Sequence, residues 1–424
     1  MVHKILLYLV FFSFIFKLTA QGNKKKVVNK KDLISYELPN LLISDSGKKI
    51  KTIKEWEDFR RDEIYSYFAN NIYGIVPGEL SIKEVELLDF EKDALGGRAI
   101  RKQINLIFKK KDKSVIMTLL IYLPNKKVKS PVFLGYNFEG NHSVNSDSLI
   151  LINDREKYKL TGKKNEDSVK IIRGQRSSRW ALNKIIDSGY GLVTVNYNNV
   201  DPDKNDFSDG IHSLLYNSGQ IKPAKNEWGS ISAWAWGLSR IMDYLETDEL
   251  IDHQKVILFG HSRLGKTALW AGATDLRFSM VISNNSGCGG AAISRRRVGE
   301  KIIDINTNFP HWFAKNFHNF NDNESSLKVD QHMLIALIAP RPVYVASASN
   351  DSWADPEGEF LAARQASLLY NIYGKKGIEI DEFPQTNTSF HGSVGYHLRE
   401  GKHDVTDFDW EQYIIFANKH LNFR

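Results

Sequence analysis

One serine stands where a nucleophile would have to stand. The apolar run Val256-Ile257-Leu258-Phe259 leads directly into Gly260-His261-Ser262-Arg263-Leu264-Gly265, and a helix-forming stretch opens at Lys266. This is close to the Gly-X-Ser-X-Gly elbow of serine hydrolases, with the second glycine one place later. A serine on a sharp strand-to-helix turn is lifted clear of the sheet, and glycine lets neighbouring backbone pack close. The helix that follows turns its amide end, which favours negative charge, toward the hydroxyl. The chemistry such a residue could do is acyl transfer.

A serine nucleophile needs a base, and the base needs an acid to orient it. In folds with this elbow the chain order is Ser, acid, His. The strand-like run Pro342–Ser349 ends just before Asn350-Asp351, so Asp351 stands where the acid is expected, with Asp355 as its nearby competitor. His391, His397, His403 and His420 all follow, and His420 falls inside the closing helix. Spacing alone does not separate the first three; those not used read as hydrogen-bonded loop histidines. A His-Glu-X-X-His metal site, a Walker loop and a dinucleotide fingerprint are all absent from the sequence, and His311 and His318 read as structural. No metal or organic cofactor is called for.

The elements that must hold these groups read as α/β. Short apolar runs at Val132–Leu134, Leu192–Val195, Val256–Phe259, Met280–Ile282 and Val343–Ala346 do not alternate with polar residues. That pattern suits strands buried on both faces of a mostly parallel sheet. Helical stretches at Trp180–Ser188, Ser230–Glu246, Lys266–Ala273 and Glu357–Tyr373 lie between them, and the chain closes on a helix at Trp410–Leu421. Ahead of this lie a helix at Glu55–Tyr73 and strands at Ile104–Phe108 and Val115–Leu123. No repeat or Pro/Gly/Ser-rich linker divides the chain, so residues 51–424 read as one catalytic domain.

At 424 residues with 42% hydrophobic and 25% charged, the composition is that of an ordinary globular protein and excludes a disordered, fibrous or multi-span membrane chain. The net charge of +7 is spread over short runs such as Lys24–Lys26, Lys109–Lys111 and Arg295–Arg297, which argues against a nucleic-acid partner. Met1 to Lys4 carry charge, an apolar run extends from Ile5 to Phe16, and Ala20 follows. This is the pattern of a signal peptide, residues 1–20, and implies export to the periplasm or medium. Residues 21–50 read as a polar leader. Cys288 is the single cysteine, so no intrachain disulfide can form.

Several segments together resemble the glucuronoyl esterases, carbohydrate esterases that cleave esters between glucuronic acid and alcohols. The elbow Ser262-Arg263-Leu264-Gly265-Lys266 and Ser286-Gly287-Cys288-Gly289-Gly290 carry the likeness first. Asn137–His142, Arg173-Gly174, Arg179-Trp180, Trp228–Arg240, Asp351–Pro356 and Gly401–Asp404 extend it over roughly residues 50 to 420. The resemblance implies the α/β-hydrolase fold, a mostly parallel sheet between two helical layers. It makes Ser262 the nucleophile, His403 the base and Arg263 the oxyanion donor, with Lys266, Glu300 and Trp353 holding the uronate. One branch of the family has a Glu where this chain has Asn285, so the acid is assigned to Asp351, as in bacterial-type members. Fungal-type members carry a disulfide-forming Cys where this chain has His261, so rigidity here must come from packing. Arg263 and Lys266, three apart on the elbow helix, are expected to share a face beside Ser262. The implied substrate is a lignin-carbohydrate ester of glucuronoxylan. The implied enzyme is a monomer without stable membrane insertion, and a xylan acetyl esterase on the same fold is the alternative.

Overall fold

The computed structural model describes residues 36–152 and 173–421. The signal segment 1–20 and the first part of the leader lie outside the described residues. Within them, one compact unit begins at Tyr36. The remainder of the expected leader belongs to that unit. Leu41 and Ile50 are buried in the main apolar cluster, and the buried Arg60 donates from Nε to the Leu41 carbonyl at 3.2 Å. Two apolar anchors in a polar stretch carry too little periodicity to be seen in the sequence.

Among the described residues ten strands form one sheet, in the order β1-β2-β3-β5-β4-β6-β7-β8-β10-β9. They are β1 Glu84–Ala94, β2 Ala99–Lys110, β3 Lys113–Pro124, β4 Ser130–Asn137, β5 Gly191–Asn196, β6 Ile251–His261, β7 Met280–Asn284, β8 Val343–Ala348, β9 Thr388–His391 and β10 Val394–Arg399. The six from β5 to β10 in spatial order, without β9, run parallel; β1 to β3 and β9 add antiparallel margins. All five non-alternating runs are central strands of this parallel part. Their side chains divide between two apolar clusters: Val256 and Leu258 join one, Ile257 and Phe259 the other. Burial on both faces is why the sequence shows no alternation.

The helices Ser230–Leu245, Arg263–Thr274 and Pro356–Ile372 pack into the first cluster; Leu182–Asp187 and Asp407–Leu421 pack into the second. Residues 53–73 are helical throughout, with π turns at Trp56–Arg60 and Ala69–Tyr73. One expectation changes, and one strand was not foreseen. The helix expected at Trp180–Ser188 is two short pieces, because Ala181 takes a left-handed φ of 35°. Strand β1 gave no usable signal, since its residues are mostly exposed and the edge strand carries apolar side chains such as Leu87 and Phe90 in solvent.

Candidate active site

The elbow is built at the carboxyl end of β6. Ser262 holds φ 59° and ψ −128° and caps the helix Arg263–Thr274. Only a close backbone approach permits this turn: a Cβ on Gly260 would lie 2.0 Å from the Leu264 carbonyl oxygen, and one on Gly265 3.0 Å from the Ser286 Cβ. The Ser262 amide donates to the Asn284 carbonyl at the end of β7, 2.9 Å away, which ties the turn to the neighbouring strand. Arg263 opens the helix, so its N–H is one of the amides left without a carbonyl partner inside it.

His403 and Asp351 come together beside this turn. The His403 Nδ1 lies 2.5 Å from the Asp351 Oδ2, and the Asn285 Nδ2 donates to the same oxygen at 2.8 Å. Burial alone would raise the Asp351 carboxyl. The bond from His403, its charge and the Asn285 amide outweigh that and hold the group below the usual carboxylate range. His403 meets the elbow through His261, whose ring packs on the His403 ring with centroids 4.5 Å apart. His261 also lies edge-on to Phe138 and sits 2.6 Å from the Asn284 Oδ1 through Nδ1. Burial drives its pKa down to about 3, so it stays a neutral packing residue. The single thiol, Cys288, is buried, and that burial raises its pKa.

The competing candidates lie elsewhere. Asp355 caps the helix Pro356–Ile372 and binds the Arg296 Nε at 2.8 Å. His397 is not a loop residue: it is buried within β10 and bonded to the Asp409 Oδ1 at 2.9 Å. His391 lies in β9, where its carbonyl is 3.2 Å from the His420 Nε2.

The three residues expected to hold the sugar are linked through Glu300. Lys266 is buried; its Nζ donates to the Ser286 carbonyl and lies 3.8 Å from the Glu300 Oε2. The Glu300 amide donates to the Trp353 carbonyl at 2.9 Å, and its carboxyl interacts with the Trp353 side chain. Burial raises the Glu300 carboxyl, against the pull of Lys266 and Arg263. Trp353 is 54% exposed while the other eight tryptophans are buried, which makes it the one indole largely open to solvent. Glu300 does not pair with the arginines at 295–297, which bind Asp330, Asp355, Glu357, Asp322 and Glu324 instead.

Arg263 and Lys266, three apart on the elbow helix, form their ion pairs with different carboxylates. Arg263 turns to Asp203 and lies over the Trp312 ring at 4.7 Å. Asp203 was missed, although it follows β5 at the carboxyl end of the parallel sheet, where ligands gather in such folds. Glu359 was missed as well. It is fully buried behind the site and accepts from the Ser286 and Gly287 amides at 2.7 and 2.9 Å and from the Ser347 hydroxyl at 2.6 Å. Burial pushes its pKa up to about 8. It is an internal acid in a helix whose sequence pattern had no room for one.

Residues 161–374 match the family model described as glucuronyl esterase, fungi. A carbohydrate esterase from an unidentified prokaryotic organism is 49% identical over 395 residues, covering 91% of this chain and 90% of that one. The chain belongs to the glucuronoyl esterase family. Its fold is shared with a glucuronoyl esterase from Solibacter usitatus, at TM-score 0.85 and 43% identity over 92% of this chain and 100% of that chain. A second solved structure, a family 15 carbohydrate esterase from a marine bacterial metagenome whose description calls it promiscuous, has TM-score 0.84 and 49% identity over 92% and 99%. As a glucuronoyl esterase the protein is a carboxylic-ester hydrolase of the α/β-hydrolase fold.

Proposed function

We propose that this glucuronoyl esterase hydrolyses esters of glucuronic acid or its 4-O-methyl ether through an acyl-enzyme on Ser262. The natural esters proposed are those joining glucuronoxylan side chains to lignin alcohols. The observation that carries the reading is the short His403–Asp351 bond beside the elbow. His403 takes the Ser262 proton as Ser262 attacks the C6 carbonyl, and Asp351 keeps the imidazole in the productive tautomer and stabilises the imidazolium. The carbonyl oxygen becomes an anion at the Arg263 amide and guanidinium, where one fixed donor is worth about a hundred- to thousandfold in rate. The alcohol leaves with the proton from His403, and water then cleaves the acyl-enzyme with the same histidine as base. Lys266 and Glu300 meet sugar hydroxyls, and Trp353 offers its ring to the pyranose.

The test compares benzyl glucuronate with p-nitrophenyl acetate, using the protein from Gln21 and its Ser262→Ala variant. A strong preference for the uronate ester, lost in the variant, is expected. A second reading, a broader carbohydrate esterase that also deacetylates xylan, is favoured by the promiscuous relative at 49% identity. Acetate release from acetylated xylan at a rate matching uronate cleavage would establish it. We also propose export after cleavage at Ala20, supported by the charged and apolar residues before it. An N-terminus other than Gln21 on the exported protein would refute the cleavage site.

A further inference from the structure

Arg263 sits in a cage that the ester chemistry does not by itself require. Its guanidinium carbon lies 4.7 Å from the Trp312 ring centroid, 5.6 Å from Phe309 and 5.7 Å from Phe138. Phe309 and Trp312 stack on each other at 3.8 Å and 5°. The Nη1 donates to the Asp203 Oδ2, while the Nε is buried with no protein partner. Asp203 is in turn held from the other side. Its Oδ1 accepts from the Trp312 Nε1 at 2.7 Å and bonds the His311 Nε2 at 2.8 Å; its Oδ2 also accepts from the Tyr197 hydroxyl at 3.0 Å. The Asp203 amide donates to the Asn198 Oδ1 at 3.0 Å, which ties the loop to the end of β5.

We propose that Asp203 is a positioning residue for the oxyanion donor: it fixes the rotation of the Arg263 guanidinium, so that donors not bound to Asp203 are in place before the ester arrives. The proposal rests on the oxyanion role assigned to Arg263 above. Cation–π contact holds a guanidinium over a ring but leaves it free to turn, and a long arginine side chain has many rotamers open to it. A carboxylate gripping one edge removes that freedom, and preorganised donors stabilise a developing charge without reorganisation during the reaction. Trp312 links the two devices, since it lies under the guanidinium and donates to the carboxylate that orients it. Burial would raise the Asp203 carboxyl, but the His311 bond and the Arg263 charge hold it well below the usual range, so it is ionised when the enzyme works.

Asp203→Asn separates this role from a general structural one. The Oδ1 acceptor of Trp312 and His311 survives as the amide oxygen, while the Oδ2 that grips Arg263 becomes an NH2 that cannot accept from it but can donate to the Tyr197 hydroxyl, which reverses that bond. On benzyl glucuronate kcat is expected to fall about tenfold or more, with KM within about threefold. In an Arg263→Ala background the same substitution should cost less than about twofold, because the group it acts through is gone. An equal loss in both backgrounds, or an unchanged kcat per folded molecule, overturns the proposal. If Arg263→Ala itself leaves kcat intact, the oxyanion assignment fails first and takes the proposal with it, and the single variant shows which has failed.

Discussion

Replacing Asp351 by Asn tests the acid assignment most sharply. The Asp351 Oδ2 accepts from two donors, His403 Nδ1 and Asn285 Nδ2, and the carboxylate also interacts with the Ala354 amide. An Asn at this position has one acceptor to offer where the carboxylate had two. If its oxygen stays with His403 and Asn285, its NH2 faces the Ala354 N–H. If it flips to satisfy Ala354, its NH2 faces His403 and selects the tautomer with the proton on Nε2, which cannot take a proton from Ser262. Either state also loses the negative charge that stabilises the imidazolium. In other Ser-His-Asp enzymes the equivalent change costs roughly 10⁴ in kcat, and we expect about 10³ to 10⁴ here, or 4 to 5.5 kcal/mol at about 1.4 per tenfold.

Asn285→Ala removes one hydrogen bond to the same oxygen and leaves the charge, so about 1 kcal/mol and a loss of less than about tenfold in kcat is expected. Some stability goes too, because Asn285 holds φ 47°, a conformation that asparagine tolerates better than alanine. The assay is kcat for benzyl glucuronate from pH 6 to 9 with folded fraction checked by circular dichroism. An Asp351→Asn enzyme within tenfold of the parent would refute the reasoning and move the acid elsewhere.

Gly260→Ala should abolish soluble folded enzyme, because its Cβ would meet backbone rather than a movable side chain; a normal melting temperature would contradict this. Trp353→Ala should raise KM for benzyl glucuronate several-fold and change stability by no more than about 0.5 kcal/mol, as for other exposed positions; a fall in melting temperature without a KM effect would return the indole to a packing role. Glu359 gives a pH dependence. Its native pKa of about 8 lies above the ordinary 4.5, so the folded state holds a proton that the unfolded chain releases. The associated stability is complete below pH 4.5 and is lost as pH rises to 8, by up to about 5 kcal/mol at 1.36 per unit. Glu359→Gln should flatten the decline in melting temperature between pH 5 and 8, since the amide oxygen can still accept from both backbone amides while the NH2 reverses the Ser347 contact and donates to its hydroxyl; an unchanged slope would assign it to other groups.

How much of this was legible depended on whether local pattern and tertiary burial agreed. The elbow could be read because strand, turn glycine and helix are contiguous, and the central strands because burial on both faces leaves an apolar run. The elbow and Asp351 stand out locally, but His403 could not be told from His391 and His397 by spacing, and family likeness was needed to choose it. The structure gives the physical reason: His397 is consumed by Asp409 inside β10, while only His403 reaches Asp351. Strand β1 was invisible because an edge strand obeys no inside–outside alternation. Asp203 was invisible for a different reason. Its partners Arg263, His311 and Trp312 lie 60, 108 and 109 residues away, a juxtaposition no window of sequence contains.

The charges of the site follow a rule that this long-range assembly enforces. Arg263 faces Asp203, His403 faces Asp351, and Lys266 faces Glu300. Buried cations without partners would be costly, but the pairing also suits the reaction. The ester is neutral, whereas its acid product, glucuronate, is an anion. A pocket of unpaired cations would hold the product more tightly than the substrate, which uniform electrostatics cannot turn into rate. Glu300 is the carboxylate nearest to Lys266, so Glu300→Gln leaves that cation uncompensated while keeping a hydrogen-bonding group for the sugar. Inhibition by free glucuronate should then strengthen several-fold, with a far smaller change in KM for the neutral benzyl ester. The effect should shrink as salt rises, though less than for surface charges because the pair is buried. Inhibition by glucuronate unchanged from the parent would mean that the Lys266–Glu300 pair is structural, and that product release is governed by other contacts.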